Sequence, residues 1–253
     1  MQLAALLLLV AVEFGCSTKS VGLTPIRPTH DDKVDSNSVV YTYRIVEDDS
    51  LEAYVFRPSS STDGRPANAI LLFHGGGWVA GSPEWTFGAA ERFAGYGLVA
   101  IAIEYRLSGP NVTPIDALDD VCHAFSWARQ YAKDLGIAEK IVGYGVSAGG
   151  QLAAATGTIG CGGISADPDA LLLWSPAIDV TRDGWFSKLL DGRAEPIDYS
   201  PVDHVNASSP PTCIVQGAED SLTPLSNAQR FCEELTNAGV VCELNVYSGV
   251  GHL

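Results

Sequence analysis

Residues 140–155 read KIVGYGVSAGGQLAAA. An apolar run enters this stretch, a run of small residues suited to a helix leaves it, and Gly145-Val146-Ser147-Ala148-Gly149 stands between them. The pattern G-x-S-x-G marks a sharp strand-to-helix turn in which glycines relieve crowding and the serine hydroxyl is pushed outward. A Gly/Ser pentapeptide alone is only a turn. In this setting Ser147 is the candidate nucleophile.

Upstream, residues 71–85 read LLFHGGGWVAGSPEW. Acyl transfer through a serine develops negative charge on the carbonyl oxygen, and backbone N–H groups fixed near that oxygen are often the largest single catalytic contribution. A glycine turn after an apolar strand supplies such donors with no side chain in the way. Gly76 and Gly77 are therefore the expected oxyanion donors, joined by Ala148 at the start of the helix after the nucleophile. His74 is read as a brace for this turn.

A serine hydroxyl needs a base, and the base needs a carboxylate to orient it. Of five histidines, His252 in YSGVGHL follows the last apolar run, and Asp220 in CIVQGAEDSLTP follows the run before it. Both then sit at carboxyl ends of strands, where ligands bind in open α/β sheets. Glu219 is the competing acid. His30 falls in a linker, His123 on a helix and His204 in a loop, each read as structural or solvated.

Continuous apolar runs recur at AILLF, LVAIAIEY, KIVGYG, ALLLW, TCIVQG and CELNVY, as strands buried on both faces of a parallel sheet require. Two alternating segments, VVYTYRIV and LEAYVFRP, precede them as an antiparallel pair joined by EDDS. A helix is expected over residues 113–135, capped by Thr113 with Asp116, opened by Pro114, carrying the apolar stripe Ile115, Leu118, Cys122, Phe125, Ala132 and Leu135, and ended by Gly136. Another is expected over residues 224–238, ended by Gly239. Strands alternating with helices predict a mostly parallel, doubly wound α/β sheet. The segment 175–206, with Trp174, Trp185, Phe186 and Tyr199, is read either as a pocket wall or as local packing.

The 253 residues, 46% hydrophobic and 18% charged, suit one catalytic domain over residues 39–253. Fifteen Lys and Arg against thirty Asp and Glu give a formal net charge of -15, which argues against nucleic-acid binding. The apolar run 3–12 is too short to span a bilayer but fits a signal-peptide h-region, so residues 1–16 are read as an export leader and residues 17–38 as a linker. Lipidation of Cys16 is the less favoured variant. The six cysteines lack the spacing of a zinc site, so no metal is expected. In an oxidising compartment Cys232 and Cys242 are the nearest pair, with buried free thiols the alternative.

Together, His74-Gly75-Gly76-Gly77-Trp78, the elbow at Ser147, Asp220 in AEDSLTP and His252 in GVGH resemble the hormone-sensitive-lipase-like branch of the α/β-hydrolases. HGGGWVAGSPEW, EYRLS and TPIDALDDV are similar to the bacterial acetyl-esterase group that includes acetylxylan and feruloyl esterases. The resemblance implies an α/β-hydrolase fold and a cofactor-free serine carboxylesterase, with Ser147, His252 and Asp220 in the chain order of that family. It implies as substrate a small-molecule or carbohydrate ester. Two alternatives are an amide hydrolase like the kynurenine formamidases, whose HGGGW region is similar, and a hydrolase fold kept for binding. The resemblance also implies a helix beyond the histidine, whereas this sequence stops at Leu253. The expectation is therefore a chain truncated at its C-terminus or a His252 loop at a frayed end.

Overall fold

The computed structural model describes residues 38–58 and 66–252. The leader with Cys16, His30 in the linker, and Leu253 lie outside the described residues. The strands are β1 (Ser38–Val46), β2 (Asp49–Phe56), β3 (Ala67–Phe73), β4 (Val99–Ile103), β5 (Ile137–Val146), β6 (Ala170–Trp174), β7 (Thr212–Gly217) and β8 (Cys242–Tyr247). They form one sheet in the order β1-β2-β4-β3-β5-β6-β7-β8. β1 and β2 pair antiparallel, β2 pairs antiparallel with β4, and every pairing from β4 to β8 is parallel. The first turn is tighter than EDDS suggests. Val46 pairs with Asp49, so only Glu47 and Asp48 lie between the strands, and Glu47 takes φ +55°.

The continuous apolar runs are explained by burial on both faces. Ile70 and Leu72 of β3 pack towards α1 (Phe87–Gly95), whereas Ala69, Leu71 and Phe73 join the larger core built with α2 (Pro114–Gln130) and α4 (Ala148–Thr158). The expected helix over residues 113–135 is two pieces. α2 stops at Gln130, because Tyr131 leaves the helical region at φ −101°, ψ +20° with its ring against Trp127, and α3 (Ala132–Leu135) follows. Its start is as expected: Asp116 accepts the Thr113 N–H at 2.8 Å. α5 (Gly184–Leu189) and α6 (Leu225–Asn237) complete the set used below. Among the described residues no helix is long and apolar enough to cross a membrane.

Two disulfides cross-link these elements. Cys232–Cys242 ties α6 to β8, and Cys122–Cys161 ties α2 to the loop after α4. Cys213 is free. The sheet order places its switch point between β3 and β5, since the chain runs outward to β4 and then returns to the other side of β3. Such a point leaves a crevice at the carboxyl ends of the two strands.

Candidate active site

β3 and β5 pair with Phe73 opposite Gly145, so the glycine turn and the serine elbow leave the sheet side by side. Ser147 sits at φ +53°, ψ −116°, a region that costs any residue other than glycine and persists only when surroundings enforce it. They do so here. The Ser147 N–H donates to the Trp174 carbonyl at 3.0 Å, and the Ser147 carbonyl accepts from Gln151 and Ala177. A Cβ at Gly149 would lie 2.3 Å from the carbonyl oxygens of Phe73 and His74, so only glycine lets the first turn of α4 press against the end of β3.

β7 and β8 pair with Gly217 opposite Tyr247, which brings the loops after them together. A Cβ at Gly217 would be 2.4 Å from the carbonyls of Val250 and Gly251. The loop bearing His252 therefore rests on bare backbone, and the Glu219 N–H holds it by donating to the Val250 carbonyl at 2.9 Å. That support comes from residues before the histidine, so His252 has an anchor where a frayed end was one of the expectations.

In this setting three side chains meet. His252 Nε2 lies 3.1 Å from Ser147 Oγ, and His252 Nδ1 lies 2.9 Å from Asp220 Oδ2. Asp220 is buried. Its Oδ1 accepts from the N–H groups of Leu222 and Thr223, and its Oδ2 from the Gln216 amide and the Thr223 hydroxyl. Burial alone would raise its pKa, but hydrogen bonds from the Thr223 N–H, His252 and the Thr223 hydroxyl outweigh it and hold the carboxyl below its ordinary range. Glu219, the competing acid, is exposed.

The glycine turn is braced from behind. Gly76 takes φ +119° and Gly77 φ +60°, and the Gly76 carbonyl accepts from Val79 and Ala80. No acceptor among the described residues takes the N–H groups of Gly76, Gly77 or Ala148. His74 is buried, stacks on Tyr105 at 4.3 Å, and places Nδ1 2.6 Å from the Gly75 carbonyl. Burial lowers its pKa, which favours the neutral ring as a brace. His123 contacts the Asp119 carbonyl and His204 the Ile197 carbonyl, both away from Ser147.

Sequence reading missed what holds this brace. Asp120, fully buried, binds Arg44 at 2.5 Å and takes the backbone N–H and guanidinium of Arg106 at 2.8–3.0 Å. That fixes the segment in which Tyr105 donates to the His74 carbonyl and the Ser108 N–H donates to the Trp78 carbonyl. EYRLS holds Arg106, DALDDV holds Asp120 and VVYTYRIV holds Arg44, but nothing local in these strings indicates the pairing.

A cleft of about 1360 Å³ opens over Ser147 and His252. Trp185 and Ile197 from the 175–206 segment wall it, and Trp85 and Leu222 also line it. The other aromatics of that segment do not. Phe186 is buried edge-on to Trp78, and Trp174, at the end of β6, is not among the residues that line the cleft. Tyr199 instead offers its carbonyl to Gln151, whose side chain also accepts from the Trp78 indole.

Residues 70–190 match a family described as alpha/beta hydrolase fold. An arylesterase of Saccharolobus solfataricus is 34% identical over 54% of this chain and 41% of its own length. The carboxylesterase/phospholipase LipF of Mycobacterium tuberculosis is 31% identical over 73% of this chain and 55% of its own. The chain thus spans about half the length of these curated relatives. Among solved structures, Thermogutta terrifontis esterase 2 phosphoramylated by tabun is 35% identical with a TM-score of 0.79, covering 85% of this chain and 84% of that one. Its propionate-bound form is 34% identical with the same TM-score, covering 85% of each chain.

Proposed function

The chain belongs to the α/β-hydrolase esterases of the hormone-sensitive-lipase and acetyl-esterase group, and on that premise we propose that it hydrolyses short-chain carboxylic esters through Ser147. The observation that carries this reading is the unbroken hydrogen-bond path from Ser147 through His252 to Asp220, beside the unpaired N–H groups of Gly76, Gly77 and Ala148.

Ser147 Oγ attacks the ester carbonyl as His252 Nε2 takes its proton, and the carbonyl oxygen, now negative, is met by the three backbone donors. Collapse of that intermediate breaks the bond to the alcohol, which leaves with the proton from His252. Water then adds to the acyl-serine by the same route, giving the acid and restoring Ser147. Asp220 keeps Nδ1 protonated and stabilises the imidazolium, without itself taking the proton.

Three considerations support the finer substrate reading. The related esterase 2 has been solved with propionate bound, which favours a short acyl group. The cleft volume of about 1360 Å³ leaves room for an alcohol part larger than that of a simple alkyl ester. Export, read from the apolar run 3–12, fits the two disulfides, which persist in oxidising compartments. The substrate proposed is a short-chain acyl ester, acetyl on a plant polysaccharide first, with the aromatic feruloyl ester of such a polysaccharide as the alternative.

Ser147→Ala should abolish turnover of p-nitrophenyl acetate in a protein whose circular dichroism is unchanged, because it removes one oxygen from a turn shaped by the backbone. Wild-type protein should show kcat/KM for acetyl and butanoyl esters above that for octanoyl. Acetylated xylan and methyl ferulate test the alcohol and acyl parts, and N-formylkynurenine tests amide hydrolysis. Residual turnover in the Ser147 variant, or preference for octanoyl, would overturn the corresponding part.

A further inference from the structure

Each of the three carbonyls in the turn of Gly76, Gly77 and Trp78 is held by a donor, but the donors differ in kind. Gly76 O and Trp78 O take backbone N–H groups, whereas Gly77 O takes the indole Nε1–H of Trp185 at 3.0 Å, from 108 residues away. Trp185 is half-exposed and walls the cleft. It is also firmly mounted. Asp183 caps α5 by accepting the N–H groups of Trp185 and Phe186, and buried Phe186 packs edge-on against Trp78 with ring centres 4.8 Å apart. Adjacent residues of α5 thus grip adjacent residues of the glycine turn.

From this geometry, and resting on the esterase reading above, we propose that Trp185 is a positioning residue for the oxyanion turn as well as a wall of the cleft. A glycine whose carbonyl is free can rotate its peptide at little steric cost. At Gly77 that rotation would swing the peptide beside the N–H that faces the developing negative charge. The Trp185 indole fixes the carbonyl, and through it the direction of the donor. The hydrogen bond therefore matters most when the oxygen carries charge, and little when substrate first binds.

Two substitutions separate the donor from the wall. Trp185→Phe keeps an aromatic face and loses the N–H. Trp185→His loses the larger ring but sets Nε2 where the indole sets Nε1, and at pH 8 the neutral ring can still donate. Trp185→Phe should lower kcat/KM for p-nitrophenyl acetate about tenfold, the effect of one net hydrogen bond on a barrier, with KM nearly unchanged. Trp185→His should recover most of that loss.

A trifluoromethyl ketone supplies a readout that packing alone would not move. Ser147 Oγ adds to its carbonyl carbon, the proton passes to His252, and the oxygen is left negative in the turn. Trp185→Phe should weaken this inhibitor by the same factor as kcat/KM, while leaving affinity for the matching unreactive methyl ketone unchanged. Wild-type kcat/KM in the folded Phe variant would overturn the proposal, as would equal losses for both ketones or equal losses in the Phe and His variants. Loss of the esterase reading itself would show instead as turnover surviving Ser147→Ala.

Discussion

Asp220 combines burial with full satisfaction of its oxygens. Loop N–H groups, the Gln216 amide and the Thr223 hydroxyl hold the carboxylate before His252 adds its own bond. Asp220→Asn should keep this loop nearly intact yet present an amide to His252 Nδ1, favouring the wrong tautomer. A fall in kcat on the order of 10³–10⁴ is expected, measured with p-nitrophenyl acetate near pH 7. At this scale the sequence was legible where function requires a residue type at a strand end. Ser147, Asp220 and His252 could be picked out in chain order because each follows an apolar run. Trp185 could not be matched to Gly77, since a contact between a side chain and a backbone carbonyl so far along the chain leaves no mark in composition or spacing.

Elements are joined by more than packing. The Cys122–Cys161 disulfide closes a sequence separation of 39 between α2 and the loop after α4, and Cys232–Cys242 closes one of 10 between α6 and β8. Restricting the unfolded chain over loops of those sizes is worth about 4 and about 3 kcal/mol respectively. Urea unfolding of the Cys122→Ser/Cys161→Ser and Cys232→Ser/Cys242→Ser proteins should give losses in that order. Only the shorter link is a candidate from sequence, where adjacency of a helix and the following strand suggests it. Cys122 was hidden by its own position, because a thiol on the apolar stripe of an amphipathic helix reads equally well as a core residue. The strands were legible from their continuous apolar runs, whereas the break at Tyr131 was not, because residues on either side continue the helical period.

Over the whole molecule, stability should depend on pH in two stages. His74 has its pKa lowered from an ordinary 6.5 by burial, so the unfolded chain takes up its proton first as pH falls. The contribution of His74 is complete above 6.5 and is lost as pH drops below it. Asp220, Asp169 and Asp179 are held below the ordinary 3.8, each by hydrogen bonds that outweigh burial, and their contribution is present above that value and disappears as pH falls through their lowered values. Urea midpoints from pH 8 to pH 3 should therefore decline in two steps, and His74→Asn should remove the first. A first step that persists in that variant would assign it to another group. The sheet itself follows from alternating strands and helices, but the crossing back over β3 that opens the crevice was legible only through the resemblance of its motifs. Strand texture does not encode lateral order.

That lateral order has a kinetic consequence. Ser147 leaves a strand near the middle of the sheet, whereas His252 follows β8, which among the described residues is an edge strand paired only with β7. The two are 105 apart in sequence, and the chain between them must dock before the imidazole meets Ser147. During refolding, tryptophan signals from Trp78 and Trp127 in the core should recover while the edge is still assembling, whereas the esterase activity proposed for Ser147 should return only once it is complete. Regained turnover is then a clock for the last step of assembly, set by the edge of the sheet.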